Sequence, residues 1–220
     1  MAGVVDKCKI CGRELWDEET SWQRCPYCGG DRYPLSTHAS THSGGNPIQV
    51  SQDRPSWDAL FMAMAFLVSC RSLDPDTKHG CIAADDDRDL LNMGYNGPPR
   101  NCPDELIPLT RPEKYRHMEH AEGNTVTNAA RIGVSLKGST FFVTGHPCEQ
   151  CFGKIINSGV KKVVYGPVSS ACIGDESRSA IELMNSRNQI PLVKYDDMKA
   201  VAAVLRSALA QVEKYAGAAL

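Results

Sequence analysis

The sequence has little net charge and no long hydrophobic run. Its 24 basic and 26 acidic residues leave a formal net charge of −2, so the chain lacks the basic excess of proteins that bind mainly to nucleic-acid phosphates. No apolar stretch approaches the roughly 20 residues that span a membrane, and the first residues do not resemble a signal peptide. These absences predict a cytoplasmic protein with no membrane partner, for which nucleic acid is not the expected ligand.

The ten cysteines do not indicate a disulfide framework. Six of them fall in three C-x-x-C pairs, and in a reducing compartment this spacing is typical of metal ligands. The length of 220 residues suits one domain of ordinary size with a small appendage. An apolar share of 42% is enough for a substantial core.

Two of the C-x-x-C pairs lie near the N-terminus and are separated by a hairpin-sized insert. Four thiolates at this spacing close a tetrahedral site, so the sequence predicts a structural zinc in a small zinc ribbon over residues 1–33. So short a segment buries too little core to fold alone, and the metal is expected to fold it. Its mixed charge favours a structural or protein-contact role over nucleic-acid binding. The four predicted ligands are Cys8, Cys11, Cys25 and Cys28.

The rest of the chain divides into a linker and a main domain. Residues 34–53 are small and polar without periodicity, which predicts a flexible linker. Residues 54–220 alternate helical and strand patterns, which predicts an α/β fold of three layers, α/β/α, around a five-stranded mixed sheet. The expected elements are a helix after Ser56, a hairpin of residues 81–84 and 90–95, strands over 140–144, 162–165 and 192–195, and helices starting at His120, at Cys148, near Ser177 and at about Asp197.

One histidine and two cysteines supply ligands for a second metal site. His120 stands two residues before Glu122, and Pro147 introduces Cys148 and Cys151. If both segments begin helices, the two sulfurs lie on one side, where the helix dipole favours thiolates. Three ligands leave the fourth tetrahedral position of zinc open for water, and Glu122 beside it is the predicted general acid/base. The alternatives are a closed zinc site with a fourth ligand and an inactive protein that kept the fold.

The pattern H-x-E…P-C-x-x-C resembles the signature of zinc nucleobase deaminases. Over residues 54–165 the chain resembles the deoxycytidylate (dCMP) deaminases of the cytidine-deaminase-like superfamily. Four segments carry the resemblance: 54–57, 94–97, 120–122 and 147–151. The zinc motif alone indicates only the superfamily. The Gly-Tyr-Asn-Gly segment at 94–97 and the loop 98–103 after it indicate the deoxycytidylate branch.

The resemblance implies hydrolytic conversion of dCMP to dUMP and ammonia, with Glu122 moving protons between water, ring and leaving amine. It also implies that Asn96 hydrogen-bonds the sugar, that the Ala121 backbone meets the pyrimidine edge, and that Asn124 lies close to the pocket. Asn96 has an alternative role as a left-handed turn residue beside Gly97. Members of the family are often hexamers regulated by dCTP and dTTP. The resemblance therefore also implies a homo-oligomer with these two nucleotides as allosteric effectors.

Several departures from the family pattern bear on the substrate. Glu119 stands where relatives often have cysteine, and Gly123 with Asn124 replaces the more usual Asn-Ala continuation. Residues 166–170 lack the Asp- and Tyr-containing stretch that commonly lines the nucleotide site. His146 is the position expected to change the pocket chemistry, with a hydrogen-bonded histidine at a strand end as the alternative. A modified deoxycytidine monophosphate therefore stays open as the substrate.

Two other classes of function stay open. One is a deaminase that acts on a base within RNA or DNA and uses the ribbon as its nucleic-acid handle. The other is a non-catalytic interaction protein that kept the zinc. An additional zinc on Cys102, His79 and His117 is a further alternative, although no tight spacing supports it.

Overall fold

The structure is a computed structural model that describes residues 54–169 and 173–217, together with two short N-terminal strands. The chain divides into two compact units, Met1–Ser51 and Gln52–Leu220. In the first unit, β1 (Val4–Lys7) pairs antiparallel with β2 (Glu14–Trp16). The predicted linker and the four predicted ribbon ligands lie outside the described residues, so the zinc ribbon stays a prediction. Those ligands are Cys8, Cys11, Cys25 and Cys28.

The second unit alternates helices and strands in the predicted order. Its elements are α1 (Trp57–Ser69), β3 (Gly80–Ala84), β4 (Leu90–Tyr95), α2 (Ala121–Ile132), β5 (Thr140–Gly145), α3 (Glu149–Asn157), β6 (Lys162–Val168), α4 (Asp175–Asn188), β7 (Leu192–Lys194) and α5 (Met198–Ala216). Two short 3₁₀ turns, Asp104–Leu106 and Glu113–Arg116, interrupt the long connection between β4 and α2.

The sheet is five-stranded and mixed, in the order β4-β3-β5-β6-β7. Strand β3 pairs antiparallel with β4 and β5, whereas β5, β6 and β7 run parallel. The predicted sheet is therefore confirmed. Strand β6 continues to Val168, past the predicted end at residue 165, because its last residues still pair with the end of β5.

The strands separate two hydrophobic cores because successive side chains of a strand point to opposite faces. In β5, Phe141 and Val143 pack in one core, and Phe142 packs in the other. The first core is completed by α2, α3 and α4, and the second by α1 and α5. The helices thus cover both faces of the sheet, which confirms the three-layer architecture.

Side-chain caps fix the helix starts that the sequence predicted. Ser56 Oγ accepts a hydrogen bond from the Ala59 backbone at 3.1 Å, and Asp197 Oδ1 accepts one from Ala200 at 3.0 Å. Such caps satisfy backbone N–H groups that have no partner inside the helix. Helix α2 ends at Gly133, whose φ of 74° lies in the left-handed region that glycine adopts without strain. Within the described parts of the chain, no helix combines the length and apolarity needed to cross a membrane.

Candidate metal centre

The three predicted metal ligands lie at the starts of two helices. His120 occupies the N-cap position of α2, and its extended backbone places the imidazole ahead of the first turn. Cys148 occupies the N-cap of α3, and Cys151 follows in the first turn. Pro147 ends the short connection from β5 and cannot donate a backbone hydrogen bond, which suits a residue just before a helix. Strand β5 therefore leads directly into α3, and the two cysteines at the start of α3 lie next to His120 at the start of α2.

The donor atoms fit a tetrahedral zinc. His120 Nδ1 lies 3.4 Å from Cys148 Sγ and 3.5 Å from Cys151 Sγ, and all three donor atoms lie within 4.8 Å of one another. With Zn–N near 2.0 Å and Zn–S near 2.3 Å, tetrahedral angles put nitrogen and sulfur about 3.5 Å apart. Among the described residues, this is the only cluster of three or more such side chains that can hold a metal.

Glu122 stands beside these ligands and is nearly inaccessible. Its residue is 5% exposed, and burial raises the pKa of its carboxyl to about 7. A carboxyl that gains and loses a proton near neutral pH suits general acid/base chemistry. Glu122, two residues after His120 in the first turn of α2, lines the same cavity as the three donor residues and is not one of their cluster.

The segment at 94–97 holds the start of α2 in place. A Cβ at Gly94 would lie 2.5 Å from the Ala121 carbonyl oxygen, so only glycine permits this close approach of β4 to the helix. Further along, the Gly97 and Glu119 backbones exchange hydrogen bonds of 3.0 and 2.9 Å. Asn124 Nδ2 donates to the Tyr95 carbonyl at 2.8 Å. The Gly-Tyr-Asn-Gly motif thus has a structural function, because it fixes the residues on both sides of His120.

A cavity of about 470 Å³ opens onto the metal ligands and Glu122. Its remaining walls are mostly polar, and they come from the segments 74–79 and 111–119, from Asn96, and from the first two turns of α3. His79 contacts Thr144 Oγ1 through Nδ1 at 3.2 Å, and burial lowers the pKa of His79 to about 4. His79 is therefore neutral at physiological pH.

Asn96 lines this cavity, and its amide is already engaged. Oδ1 accepts from the His79 backbone at 2.7 Å, and Nδ2 donates to the Thr77 carbonyl at 3.0 Å. The alternative role as a left-handed turn residue is wrong, because among described residues other than glycine only Arg88, Asn101 and Gln189 have positive φ.

The other predicted pocket residues are divided between two regions. His146 lines the metal cavity. Its ring contacts the Tyr165 ring edge-on, with 4.7 Å between the two ring centroids. Ala121 is completely buried at the start of α2. Asn124 lines a neighbouring cavity of about 540 Å³, because two residues along a helix turn a side chain by about 200° from Glu122.

The structure does not assemble the additional zinc site considered for Cys102, His79 and His117. Cys102 lines the neighbouring cavity and His79 lines the metal cavity. In the portion of the chain that the structure describes, no metal-binding cluster contains any of the three.

One buried cation in the cavity wall was missed by sequence reasoning. Lys114 is 1% exposed and binds Asp74 Oδ1 at 2.9 Å and Asp76 Oδ2 at 2.7 Å. Burial alone would raise the pKa of Asp74, but hydrogen bonds from Lys114 and from two backbone N–H groups outweigh it and lower the pKa. No local pattern reveals this pair, since its members lie 40 residues apart.

A three-layer α/β fold with a His/Cys/Cys donor set beside a buried glutamate is typical of the zinc nucleobase deaminases. The family model described as the cytidine and deoxycytidylate deaminase zinc-binding region matches residues 55–167. The chain belongs to this family.

Individual relatives support the same assignment. The mouse deoxycytidylate deaminase is 34% identical over 119 residues, which span 51% of this chain and 66%, just under two thirds, of the relative. The ComE operon protein 2 of Bacillus subtilis is 34% identical over 116 residues, 51% of this chain and 60% of the relative. Among solved structures, the crystal structure of the dCMP deaminase from cyanophage S-TIM5 in complex with dCMP and dUMP has 25% sequence identity to this chain. The superposition covers 64% of this chain and 98% of the cyanophage chain, with a TM-score of 0.54.

Proposed function

We propose that this chain is a zinc-dependent hydrolytic deaminase that converts dCMP, or a modified deoxycytidine monophosphate, to the corresponding dUMP and ammonia. The observation that carries the proposal is the buried carboxyl of Glu122 beside three donor atoms spaced for zinc. Family membership and relatives that are named deoxycytidylate deaminases support the choice of a cytosine nucleotide. The cavity volume of about 470 Å³ is in the range of sites for small ligands.

His120, Cys148 and Cys151 would hold the zinc. When bound there, zinc lowers the pKa of water to about 7. Glu122 takes a proton from the attacking water and delivers it to ring atom N3 as the water oxygen bonds to C4. Glu122 then takes the second proton of the former water from the new C4 hydroxyl and delivers it to the 4-amino group. The amine leaves as ammonia, and C4 becomes a carbonyl carbon. A carboxyl whose pKa lies near 7 suits both directions of this transfer.

A nucleotide brings a phosphate, for which a cationic side chain of the cavity is a favourable partner. Lys114 and Lys154 line it, but each is held by a carboxylate at 2.7 Å. Arg111 pairs with Asp76 at the longer distance of 3.2 Å, and both side chains are nearly half exposed. Arg111 is thus the lining cation that can exchange its partner at least cost, so we assign it the phosphate.

Other features stay predictions. We infer a second, structural zinc bound to the four cysteines of the predicted ribbon, Cys8, Cys11, Cys25 and Cys28. A homo-oligomer, the allosteric effectors dCTP and dTTP, and the cytoplasmic location rest on the resemblance and on composition. The same holds for direct substrate contacts by Asn96, Ala121, Asn124 and His146.

Ammonia release tests the proposal directly. The zinc-loaded protein is assayed against dCMP, 5-substituted dCMP, CMP, dCTP, deoxycytidine and a cytosine-containing oligonucleotide, with Glu122→Gln measured in parallel. Turnover of dCMP or its 5-substituted form, lost in the variant, is the expected result. Turnover of the oligonucleotide alone would transfer the function to nucleic-acid editing, and no turnover of any substrate would overturn the proposal.

A further inference from the structure

The carboxylate of Glu119 touches both helix starts that carry the metal ligands. Oε1 accepts a hydrogen bond from the His120 backbone N–H at 3.0 Å. Oε2 forms an ion pair with Lys154 Nζ at 2.7 Å. Because Lys154 lies on α3, one turn after Cys151, a single side chain links the ligand of α2 to the helix that carries the two thiols.

Gly123 provides the space for this link. A Cβ at Gly123 would lie 2.3 Å from Glu119 Oε1 and 2.9 Å from Lys154 Nζ. A larger residue at this position would therefore force the Glu119 carboxylate and the Lys154 ammonium out of their present positions. Glu119 and Gly123 are separate departures from the family pattern in the sequence. In the structure they lie side by side, and the missing side chain of Gly123 leaves room for the Glu119 carboxylate.

The charge of Lys154 also suits its surroundings. Burial of the ammonium opposes its charge, but the hydrogen bond to Glu119 and the negative charges of Glu119, Cys151 and Cys148 outweigh burial and raise its pKa. Lys154 is therefore charged at neutral pH. A cation one turn along α3 from two thiolates is favourable for them, and Glu119 keeps that cation in position.

We propose that Glu119, Lys154 and Gly123 form a positioning bridge, which holds the starts of α2 and α3 at the separation that zinc requires and slows the loss of the metal. The bridge rests on the metal site of the proposed function and is independent of the substrate. Both charged side chains are about one third exposed, so water competes for them and the expected effect is moderate.

Zinc release to a chromogenic chelator, measured without substrate on the whole 220-residue chain, tests the bridge. Glu119→Gln keeps an acceptor for the His120 N–H and removes only the ion pair, and Lys154→Met removes the pair from the other side. Each should release zinc about two- to fivefold faster, the range that a partly exposed ion pair supports.

The double variant should be no faster than the faster single variant, since both remove the same interaction. Gly123→Ala should be at least as fast, because it disturbs both contacts of Glu119.

Two controls separate the bridge from other effects. Cys148→Ser removes the site described here, so its release curve gives the contribution of any metal bound elsewhere in the chain. Lys161→Gln breaks a comparable surface ion pair with Asp86, away from the metal ligands, and should leave the release rate unchanged.

The spectrum of the cobalt-substituted protein gives a second measurement, because its d–d bands report ligand geometry. A shifted spectrum in Glu119→Gln, with unchanged thermal unfolding of the metal-free protein, supports positioning. Release rates in Glu119→Gln and Lys154→Met equal to that of the parent protein would overturn the bridge, as would equal acceleration in Lys161→Gln. Faster release with no turnover of any nucleotide would support the bridge and reject the deaminase.

Discussion

Two cavities of similar size lie against α2, and their walls differ in chemistry. The cavity of about 470 Å³ contains His120, Glu122, Cys148 and Cys151. The cavity of about 540 Å³ is lined by the proline-rich loop 98–105 and by polar residues of α2 that face away from Glu122. The larger volume lacks a metal-binding cluster among the described residues. The comparison shows that the donor set identifies the site, and that volume does not.

The largest expected effect tests whether the first cavity is the site of chemistry. Glu122→Gln keeps the size of the side chain but cannot exchange protons, so kcat should fall by about 10²- to 10⁴-fold, the range of general acid/base catalysis. Single-turnover ammonia release on the zinc-loaded variant measures this.

Glu149→Gln is the matched control, because Glu149 is another carboxylate that lines the same cavity. It accepts a hydrogen bond from Ser177 Oγ at 2.5 Å, and glutamine still accepts one. Its kcat should change little. A normal kcat in Glu122→Gln would show that Glu122 is not the general acid/base. The first cavity would then no longer be distinguished from the second as the site of chemistry.

The second prediction concerns the wall of the same cavity. Lys114→Met leaves Asp74 without its cation, and the free energy of unfolding should fall by about 2 to 3 kcal/mol. This is below the usual cost of breaking a deeply buried pair, because Asp76 is nearly half exposed and can be solvated. Urea denaturation of the zinc-loaded protein measures it.

Lys161→Met controls for the loss of a surface ion pair and should cost less than about 1 kcal/mol. Equal costs in the two variants would show that the Lys114 pair stabilises the protein no more than a surface contact does.

The third prediction sharpens the choice of ligand for the first cavity. If Arg111 meets the phosphate, Arg111→Ala should raise KM for dCMP by about tenfold, in line with the loss of one charged hydrogen bond. KM for deoxycytidine, which has no phosphate, should not change. Equal increases for both substrates would show that Arg111 acts on the pocket through Asp76 and has no contact with the phosphate.

The sequence predicted the parts of this protein that depend on local spacing. Periodicity and the Ser56 cap located the helices, and the intervals from His120 to Glu122 and from Cys148 to Cys151 located the candidate metal centre. These features depend on the geometry of one or two helical turns, which neighbouring residues determine.

The features that sequence reasoning missed are contacts between distant segments. Lys114 and Asp74 are 40 residues apart, and Glu119 and Lys154 are 35 residues apart. Such pairs form only when the sheet brings their segments together, so no periodic pattern marks them. Asn96 shows the same limit, since its partners Thr77 and His79 lie on another segment.

The smallest expected effect lies in the second cavity. Arg100 Nε and Nη2 donate to Asn128 Oδ1 at 3.2 and 2.9 Å, and this contact is exposed to solvent. Arg100→Ala removes this contact, but water readily takes its place at an exposed site, so stability should change by less than about 0.5 kcal/mol. Because Asn128 and Glu122 point to different sides of α2, kcat and KM for dCMP should stay within about twofold, under 0.5 kcal/mol of transition-state stabilisation. Steady-state kinetics and urea denaturation of the same preparation check both values. A large fall in kcat at unchanged stability would mean that the second cavity acts on the chemistry through α2, and the separation of the two cavities by their walls would fail.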